Sequence, residues 1–181
     1  LFNTTAMEVY QGQQYDMDFE KRLDVTVDEY LEMIRLKTSV LLGCACKLGA
    51  IMAGAFDSEQ KAFYKYGVKL GLAFQLQDDF LDTYGDPNIF GKKIGGDILK
   101  DKKTWLLISA LNEDNSGKLK EIIGNKEIAP EEKIAQVKSI YDSLNLGNRC
   151  KELMEKYATE AIDALKTVGL SDTDLEFFKK M

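Results

Sequence analysis

The stretch "FQLQDDFLDTYGD", residues 74–86, decides how the rest of the chain is interpreted. Most of it is typical of the end of a buried, aromatic-rich helix, yet it also contains Asp78, Asp79, Asp82 and Asp86. Neighbouring carboxylates repel and raise each other's pKa, so positive charge is expected beside them. Because Asp78 and Asp82 are one helical turn apart, both can address a single cation or its bound waters. The alternative is an acidic helix end paired with local lysines, although helix C-termini disfavour negative charge.

Composition favours a single all-α domain over residues 1–181. Hydrophobic residues make up 45% of the 181 residues, charged residues make up 30%, and Pro occurs only twice. Helices avoid Pro, and strands would need many more turn signals. The net charge is −6 and no run of Lys or Arg is interleaved with aromatic residues, so we expect no nucleic-acid partner. The most apolar stretch, residues 39–56, is interrupted by Lys47, so we expect no stable membrane insertion.

Cysteine and histidine usage narrows the chemistry. The three cysteines, Cys44, Cys46 and Cys150, are odd in number and lack zinc spacing, so we interpret them as reduced core thiols of a cytoplasmic protein. The chain has no histidine, which removes histidine general bases and the usual zinc and iron sites. A metal would therefore be held by carboxylate oxygens, which suits Mg²⁺.

Helical spacing and terminal signals predict the order of the helices. The first occupies residues 1–19, the second runs from a cap at Thr26 or Asp28 to Gly54, and the third runs from Asp57 or Ser58 to Gly85. Asp97 is predicted to cap a fourth helix over residues 98–111. Shorter helices are expected at about 117–124, 130–144, 147–168 and 172–180, with Pro130 well placed at a helix start.

Lys37 breaks the pattern of the second helix. At about 100° per residue, one face collects polar positions and the other collects apolar ones, with Lys37 in the middle of the apolar face and Thr38 beside it. Either the lysine stem packs while its ammonium reaches water, or the face borders a cavity that holds an anion. The polar face comprises Asp28, Glu32, Arg35, Ser39 and Cys46, and the apolar face comprises Tyr30, Met33, Ile34, Leu41, Cys44, Leu48 and Ile51.

A glycine-containing stripe and a lysine-rich loop complement this anion hypothesis. Gly67, Gly71, Gln75, Asp78 and Asp82 form one stripe of the third helix, and its glycines suit the close approach of a ligand or another backbone. Five lysines follow, some of them placed just inside a new helix, where N–H groups also favour anions. Carboxylates followed by lysines suit a diphosphate bridged through Mg²⁺, although a plain salt-bridge cluster is the alternative. The lysines are Lys92, Lys93, Lys100, Lys102 and Lys103.

Four signatures in order, over residues 12–105, resemble the trans-isoprenyl diphosphate synthases (polyprenyl synthetases), which include farnesyl and geranylgeranyl diphosphate synthases. They are "GQQYDMDFE", "LKTSVL", "FQLQDDFLD" and "GKKIGGDILKDKKTWL". The resemblance implies an isoprenoid synthase-type helical bundle around a central cavity. It also implies a homodimer and the Mg²⁺-dependent, head-to-tail condensation of an allylic diphosphate with isopentenyl diphosphate.

The resemblance also implies the roles of individual residues. Asp78, Asp79 and Asp82 match the second aspartate-rich motif as metal ligands, with Asp78 the direct ligand of one Mg²⁺. Lys37, Thr38, Lys92 and Lys102 match groups that hold the allylic diphosphate. Gln13 and Gln75 match polar residues lining the cavity, and Phe74 and Gln75 would lie near the isopentenyl tail and the reacting carbons. The catalytic set implied is Lys37, Thr38, Gln75, Lys92 and Lys102.

The sequence departs from the family pattern in one respect. Family members carry a first DDxxD motif with an adjacent arginine pair, whereas the DDxxD of this chain is Asp78–Asp82. We therefore expect a C-terminal portion without its N-terminal helices, inactive alone. A non-catalytic scaffold or regulatory subunit of a prenyl diphosphate synthase is the alternative. A terpene cyclase fits less well, because "GQQYD" and "LKT" resemble the synthases.

Overall fold

A computed structural model describes residues 1–86 and 94–180, and over those residues the chain is helical with no strand. The prediction of an all-α chain is confirmed. The α-helices are α1 (Phe2–Phe19), α2 (Val27–Ile34), α3 (Val40–Met52), α4 (Asp57–Tyr84), α5 (Gly96–Leu99), α6 (Trp105–Glu113), α7 (Lys118–Ile122), α8 (Pro130–Ser143), α9 (Leu146–Lys166) and α10 (Asp172–Lys179).

The start of α2 is a capping box built on Thr26. The backbone N–H of Glu29 donates to Thr26 Oγ1 at 3.2 Å, and the backbone N–H of Thr26 donates to Glu29 Oε2 at 2.8 Å. Each side chain thus satisfies a backbone donor that a helix start would otherwise leave without a partner. Of the two caps that the sequence allowed, Thr26 is the one used.

A turn of π-helix, Arg35–Ser39, joins α2 to α3 and corrects the predicted faces. Ser39, expected on the polar face, is fully buried, and its Oγ donates to the carbonyl oxygen of Ile34 at 3.3 Å. Conversely, three predicted core residues are exposed: Leu41 by 52%, Leu48 by 39% and Ile51 by 42%. A π-turn bonds i to i+5 and so advances the register by about one residue relative to an α-helix. The 100° wheel was therefore wrong for these four residues, although Cys44, predicted on the apolar face, is buried at 2% exposure.

The predicted helix over residues 98–111 is interrupted. The described part of this region begins with the short helix α5, continues through a turn at Lys100–Thr104, and enters α6 at Trp105. Asp101 in this turn has a φ of +52°, a left-handed conformation that a helix cannot contain. The N-cap of α6 is Thr104, whose Oγ1 accepts from Leu107 N at 3.2 Å, and not Asp97 as predicted. The lysines at 100, 102 and 103 therefore lie before α6 and not inside it.

Close contacts divide the chain into two compact units. The first comprises Leu1–Tyr15, Glu32–Gln75 and Leu153–Met181, and the second comprises Asp16–Leu31 and Leu76–Glu152. Each unit combines separate stretches of chain, so the units are not successive segments. The expectation of a single domain over residues 1–181 stays a prediction.

In the first unit, two glycines of α4 allow backbones to approach. A Cβ on Gly67 would lie 2.6 Å from the carbonyl oxygen of Leu42, and one on Gly71 would lie 2.7 Å from Ser39 Cα. Of the two reasons considered for the glycine stripe, close backbone packing is therefore the one realised at these positions. Elsewhere in the unit, Tyr66 packs with Ala161 and Leu165, and its hydroxyl donates to the carbonyl oxygen of Phe178 at 3.1 Å.

The second unit has its core around α6 to α8 and the first residues of α9. Leu106, Leu119 and Leu146 are fully buried, and α8 contacts α5, α6 and α7. Pro130 is at the start of α8, as predicted. Cys150 and, in the first unit, Cys44 are buried thiols, whereas Cys46 is only partly buried and so departs from the prediction of three core thiols. Within the described part of the chain, no helix is long and apolar enough to cross a membrane.

Candidate diphosphate and metal site

The aspartates of the DDxxD motif have different environments although they share helix α4. Asp78 is exposed, Asp82 is partly buried, and Asp79 is only 1% exposed. The Asp79 carboxylate lies inside the second unit, where the hydroxyl of Tyr30 donates to its Oδ2 and the ammonium of Lys102 lies 3.2 Å from its Oδ1. Both oxygens of the Asp79 carboxylate therefore contact other side chains of the protein.

Lys102 connects this buried carboxylate to the turn before α6. Its Nζ lies between two carboxylates, 3.2 Å from Asp79 Oδ1 and 3.1 Å from Asp97 Oδ2. The backbone of Asp97 is itself anchored, because its N–H donates to Asp82 Oδ2 at 2.8 Å. The side chain of Lys102 remains 38% exposed, so the protein does not enclose it. The structure therefore joins Asp79, Asp82, Asp97 and Lys102 in one hydrogen-bonded group.

Burial and charge act in opposite directions on this group. Burial raises the pKa of Asp79, while the charge of Lys102 and the hydrogen bond from Tyr30 partly offset the rise. Burial likewise raises the pKa of Asp97, again opposed by Lys102. For Lys102, burial acts to lower the pKa, but the carboxylates of Asp79 and Asp97 outweigh it and raise the pKa above its ordinary value. Lys102 is therefore a permanently charged ammonium at neutral pH.

Asp78 is exposed, and the partly buried Asp82 accepts the N–H of Asp97 at its Oδ2. Among residues 1–86 and 94–180, no group of three or more Asp, Glu or Cys side chains is arranged to hold a metal ion. Mg²⁺ does not need such a group, because it keeps several waters and commonly binds through one or two carboxylates together with substrate phosphates. Asp78 and Asp82, one helical turn apart on α4, supply oxygen ligands of the kind that this mode uses. The assignment of Asp78, Asp79 and Asp82 as metal ligands stays a prediction.

A second polar group lies in the first unit, at the π-turn. Lys37 and Thr38 are both partly buried in it, and Thr38 Oγ1 donates to Gln75 Oε1 at 3.3 Å. Gly12 of α1 lies against the turn, since a Cβ there would overlap the backbone nitrogen of Lys37. Three of the four sequence signatures thus meet in this unit. Backbone departures of this kind are frequent at functional sites.

The remaining predicted residues are less constrained. Gln13 is exposed on α1, and Phe74 is 57% exposed on α4. Lys92 lies outside the described residues, as does Lys93. A cleft of about 950 Å³ in the second unit contains none of the predicted site residues; it is lined by segments 113–122 and 135–144.

The sequence did not identify Asp97 as a member of this hydrogen-bonded group, or Tyr30 as a donor to Asp79. Tyr30 was assigned to the apolar face of its helix, and Asp97 was assigned only to a helix cap. Asp97 is only partly buried, and its surroundings in the sequence give no signal for this role. Tyr30 differs, because a polar atom on an otherwise buried position needs a partner. Tyr30 is 1% exposed, so its hydroxyl could have been expected to seek one.

The chain is similar to known proteins in sequence and in structure. Residues 1–144 match the family model for polyprenyl synthetase. The geranylgeranyl diphosphate synthase of Saccharolobus solfataricus is 38% identical over 97% of this chain and 53% of its own length. A crystal structure of a geranylgeranyl pyrophosphate synthase superposes with a TM-score of 0.91 at 42% identity, covering 98% of this chain and 56% of that one.

Another similar crystal structure contains bound ligands. The geranylgeranyl pyrophosphate synthase of Corynebacterium glutamicum, in complex with isoprenyl diphosphate and magnesium, superposes with a TM-score of 0.87 at 26% identity. It covers 99% of this chain and 52% of that one. The chain thus spans about half the length of the relatives it matches.

Proposed function

We propose a function from one premise, which is that the chain belongs to the polyprenyl synthetase family. The proposed reaction is the Mg²⁺-dependent, head-to-tail condensation of an allylic diphosphate with isopentenyl diphosphate, giving a longer isoprenyl diphosphate. Because the chain spans about half the length of its relatives, the whole reaction is the proposal. The 181 residues alone are expected to bind Mg²⁺ and a diphosphate but not to turn over.

The observation that carries the proposal is the charge arrangement of the second unit. Lys102, a charged lysine whose side chain is 38% exposed, contacts Asp79 near the end of α4, the helix that also carries the exposed Asp78 and the partly buried Asp82. A cation-binding pair next to a fixed positive charge suits a substrate with several negative oxygens. The relative from Corynebacterium glutamicum binds isoprenyl diphosphate and magnesium, which supports the same ligands here.

Each residue then has a proposed task. Asp78 and Asp82 would hold Mg²⁺, which when bound supplies charge neutralisation at the diphosphate. Lys102, and Lys37 with Thr38, would bind the diphosphate oxygens, stabilising the negative charge that grows as the allylic C–O bond breaks. The double bond of isopentenyl diphosphate attacks the resulting allylic cation, and a proton is lost to the released diphosphate. Gln75 and Phe74 would line the site of the reacting carbons, where exclusion of water protects the cation.

The binding half of the proposal can be tested on the chain itself. Isothermal titration of inorganic pyrophosphate should show binding that requires Mg²⁺ and is abolished by EDTA. Asp78→Asn should weaken it by about tenfold or more, because removal of a ligand carboxylate removes a direct contact to the cation. Asp57→Asn, at the other end of α4, removes the same charge and should leave binding unchanged. Pyrophosphate binding that is absent, or independent of Mg²⁺, would contradict the proposal.

The catalytic half requires a turnover assay with farnesyl and isopentenyl diphosphates. The 181-residue chain should give no product. In a protein that also carries the other half of the family fold, Asp78→Asn should cut turnover sharply and leave the far-ultraviolet circular dichroism unchanged. We also propose a cytoplasmic homodimer, as the resemblance implies, and sedimentation equilibrium would measure the association.

A further inference from the structure

Tyr30 is the buried residue that connects to Lys102 through Asp79. Tyr30 and Asp79 are each 1% exposed, and they lie 49 positions apart in the sequence. The Tyr30 hydroxyl donates to one carboxylate oxygen of Asp79, and the ammonium of Lys102 occupies the other at 3.2 Å. Asp79 is thus held from two sides by groups that come from different elements, α2 and the turn before α6.

We propose that Tyr30 is a positioning residue that acts through Asp79 to fix the ammonium of Lys102 for diphosphate binding. This inference rests on the proposed function, because that function makes Lys102 a diphosphate ligand. A lysine ammonium is a point charge on a flexible four-carbon stem, so by itself it has no fixed position. A carboxylate whose two oxygens accept bonds from opposite sides cannot rotate freely, and it transfers that fixed orientation to the ammonium.

The other contacts of Lys102 show which side of it is held by the protein. Lys102 is held at a second point by Asp97 Oδ2 at 3.1 Å, and its own backbone N–H donates to the carbonyl oxygen of Asp97 at 3.0 Å. The side chain of Lys102 is 38% exposed whereas Tyr30 and Asp79 are buried. The contacts therefore hold Lys102 from the protein interior and leave its outer side for a ligand.

A phenylalanine at position 30 would satisfy packing alone. A buried tyrosine hydroxyl needs a hydrogen-bond partner, and here the partner is a motif aspartate. Tyr30→Phe removes one oxygen atom and changes no formal charge, so any effect on anion binding cannot come from net charge. Tyr66→Phe is the matched control, because Tyr66 is also 1% exposed and its hydroxyl also donates a hydrogen bond, to the carbonyl oxygen of Phe178 in the first unit.

The test is the dissociation constant for Mg²⁺-pyrophosphate in a double-mutant cycle with Lys102→Met. We expect Tyr30→Phe to weaken binding by about tenfold, as loss of a supporting hydrogen bond to a binding group typically does, and Tyr66→Phe to leave it unchanged. In the Lys102→Met background, Tyr30→Phe should cause no further loss, because the two residues act along one path. Wild-type affinity in Tyr30→Phe, or a full loss that persists without Lys102, would overturn the inference.

A ligand-free measurement keeps this inference separate from the proposed function. Limiting acetic anhydride labels lysine amines, and mass spectrometry gives the rate at Lys102 relative to the exposed Lys179. Tyr30→Phe should raise the relative rate at Lys102 because its ammonium is no longer held, and Tyr66→Phe should not. If the wild-type chain binds no Mg²⁺-pyrophosphate, the proposed function fails for this chain. Tyr30 positioning then stands on a raised labelling rate and is rejected by an unchanged one.

Discussion

Two helix glycines in the first unit should respond to the same substitution with opposite signs. In a helix interior, replacing Gly by Ala ordinarily stabilises by about 0.5–1 kcal/mol, because the unfolded chain loses freedom. At Gly49, where an added Cβ would meet nothing within 4 Å, we expect that full gain. At Gly71 an added Cβ would lie 2.7 Å from Ser39 Cα and 2.9 Å from both Ser39 Cβ and Oγ.

The contact at Gly71 cannot relax cheaply. Ser39 is 0% exposed and belongs to the π-turn, so the obstructing atoms are backbone and a buried side chain, not the end of a flexible one. Overpacking of this kind costs about 1–3 kcal/mol. With the middle of each range, subtracting the propensity gain of about 0.5–1 kcal/mol leaves Gly71→Ala destabilised by roughly 1 kcal/mol.

Urea unfolding followed by far-ultraviolet circular dichroism measures both effects. Gly49→Ala should move the midpoint to higher urea and Gly71→Ala to lower urea, with equal slopes. The π-turn contains Lys37 and Thr38, which we propose bind the diphosphate. Gly71→Ala should therefore also weaken the contribution of these two residues to diphosphate binding. If both variants were stabilised alike, the close approach of α4 to the π-turn would be refuted.

Further predictions concern the stability contributed by two helix starts and by the ion pair of the buried Lys133. The hydrogen bond from Arg22, then that from Thr26, lowers the pKa of Glu29 from its ordinary 4.5. Glu29 therefore contributes stability above that pH, and the deficit of Glu29→Gln should shrink as pH falls through 4.5 and below, in unfolding curves measured by pH. Thr104→Val, which removes the α6 cap but keeps the shape, should destabilise by about 1 kcal/mol in the same urea assay, and Thr104→Ser by less. Lys133 is 5% exposed and lies 2.7 Å from Asp101. The Asp101 side chain is 23% exposed, so water can partly solvate its carboxylate when the ammonium is removed. Lys133→Met should therefore destabilise by less than the roughly 3–5 kcal/mol of a fully buried pair. Adding Asp101→Asn should recover most of the loss, since Asn tolerates a positive φ. A double variant as unstable as the single one would argue against the pairing.

Much of the fold could be predicted because its signals are local. The start of α2 is marked by hydrogen bonds between Thr26 and Glu29, which are three residues apart. Pro130 marks the start of α8 and Gly85 follows the end of α4, in both cases because of limits on the local backbone. The predicted helices at 1–19, 130–144 and 172–180 differ from α1, α8 and α10 by a residue or two at their ends. Such boundaries need no knowledge of the rest of the chain.

The errors arose where distant residues decide. Nothing within Arg35–Ser39 indicates a π-turn, because the turn is set by what packs on it, including Gly12 and Gly71 from two other helices. The break before α6 occurs at Asp101, which has a left-handed backbone. Its side-chain carboxylate contacts the ammonium of Lys133 at 2.7 Å and accepts from the N–H of Gly124 at 3.0 Å. Neither partner is near Asp101 in sequence, so local propensity favours one continuous helix.

The DDxxD motif shows why spacing predicts a site but not the role of each residue. Asp78 and Asp79 are adjacent and chemically identical, and a motif treats both as ligands. On a helix they point about 100° apart, which is enough to make one exposed and the other 1% exposed. A buried carboxylate must be compensated by its own protein, and here Tyr30 and Lys102 compensate it, from positions 49 residues before and 23 residues after. In the proposed function, the exposed Asp78 would bind a cation, and the buried Asp79 would orient the lysine that binds the diphosphate.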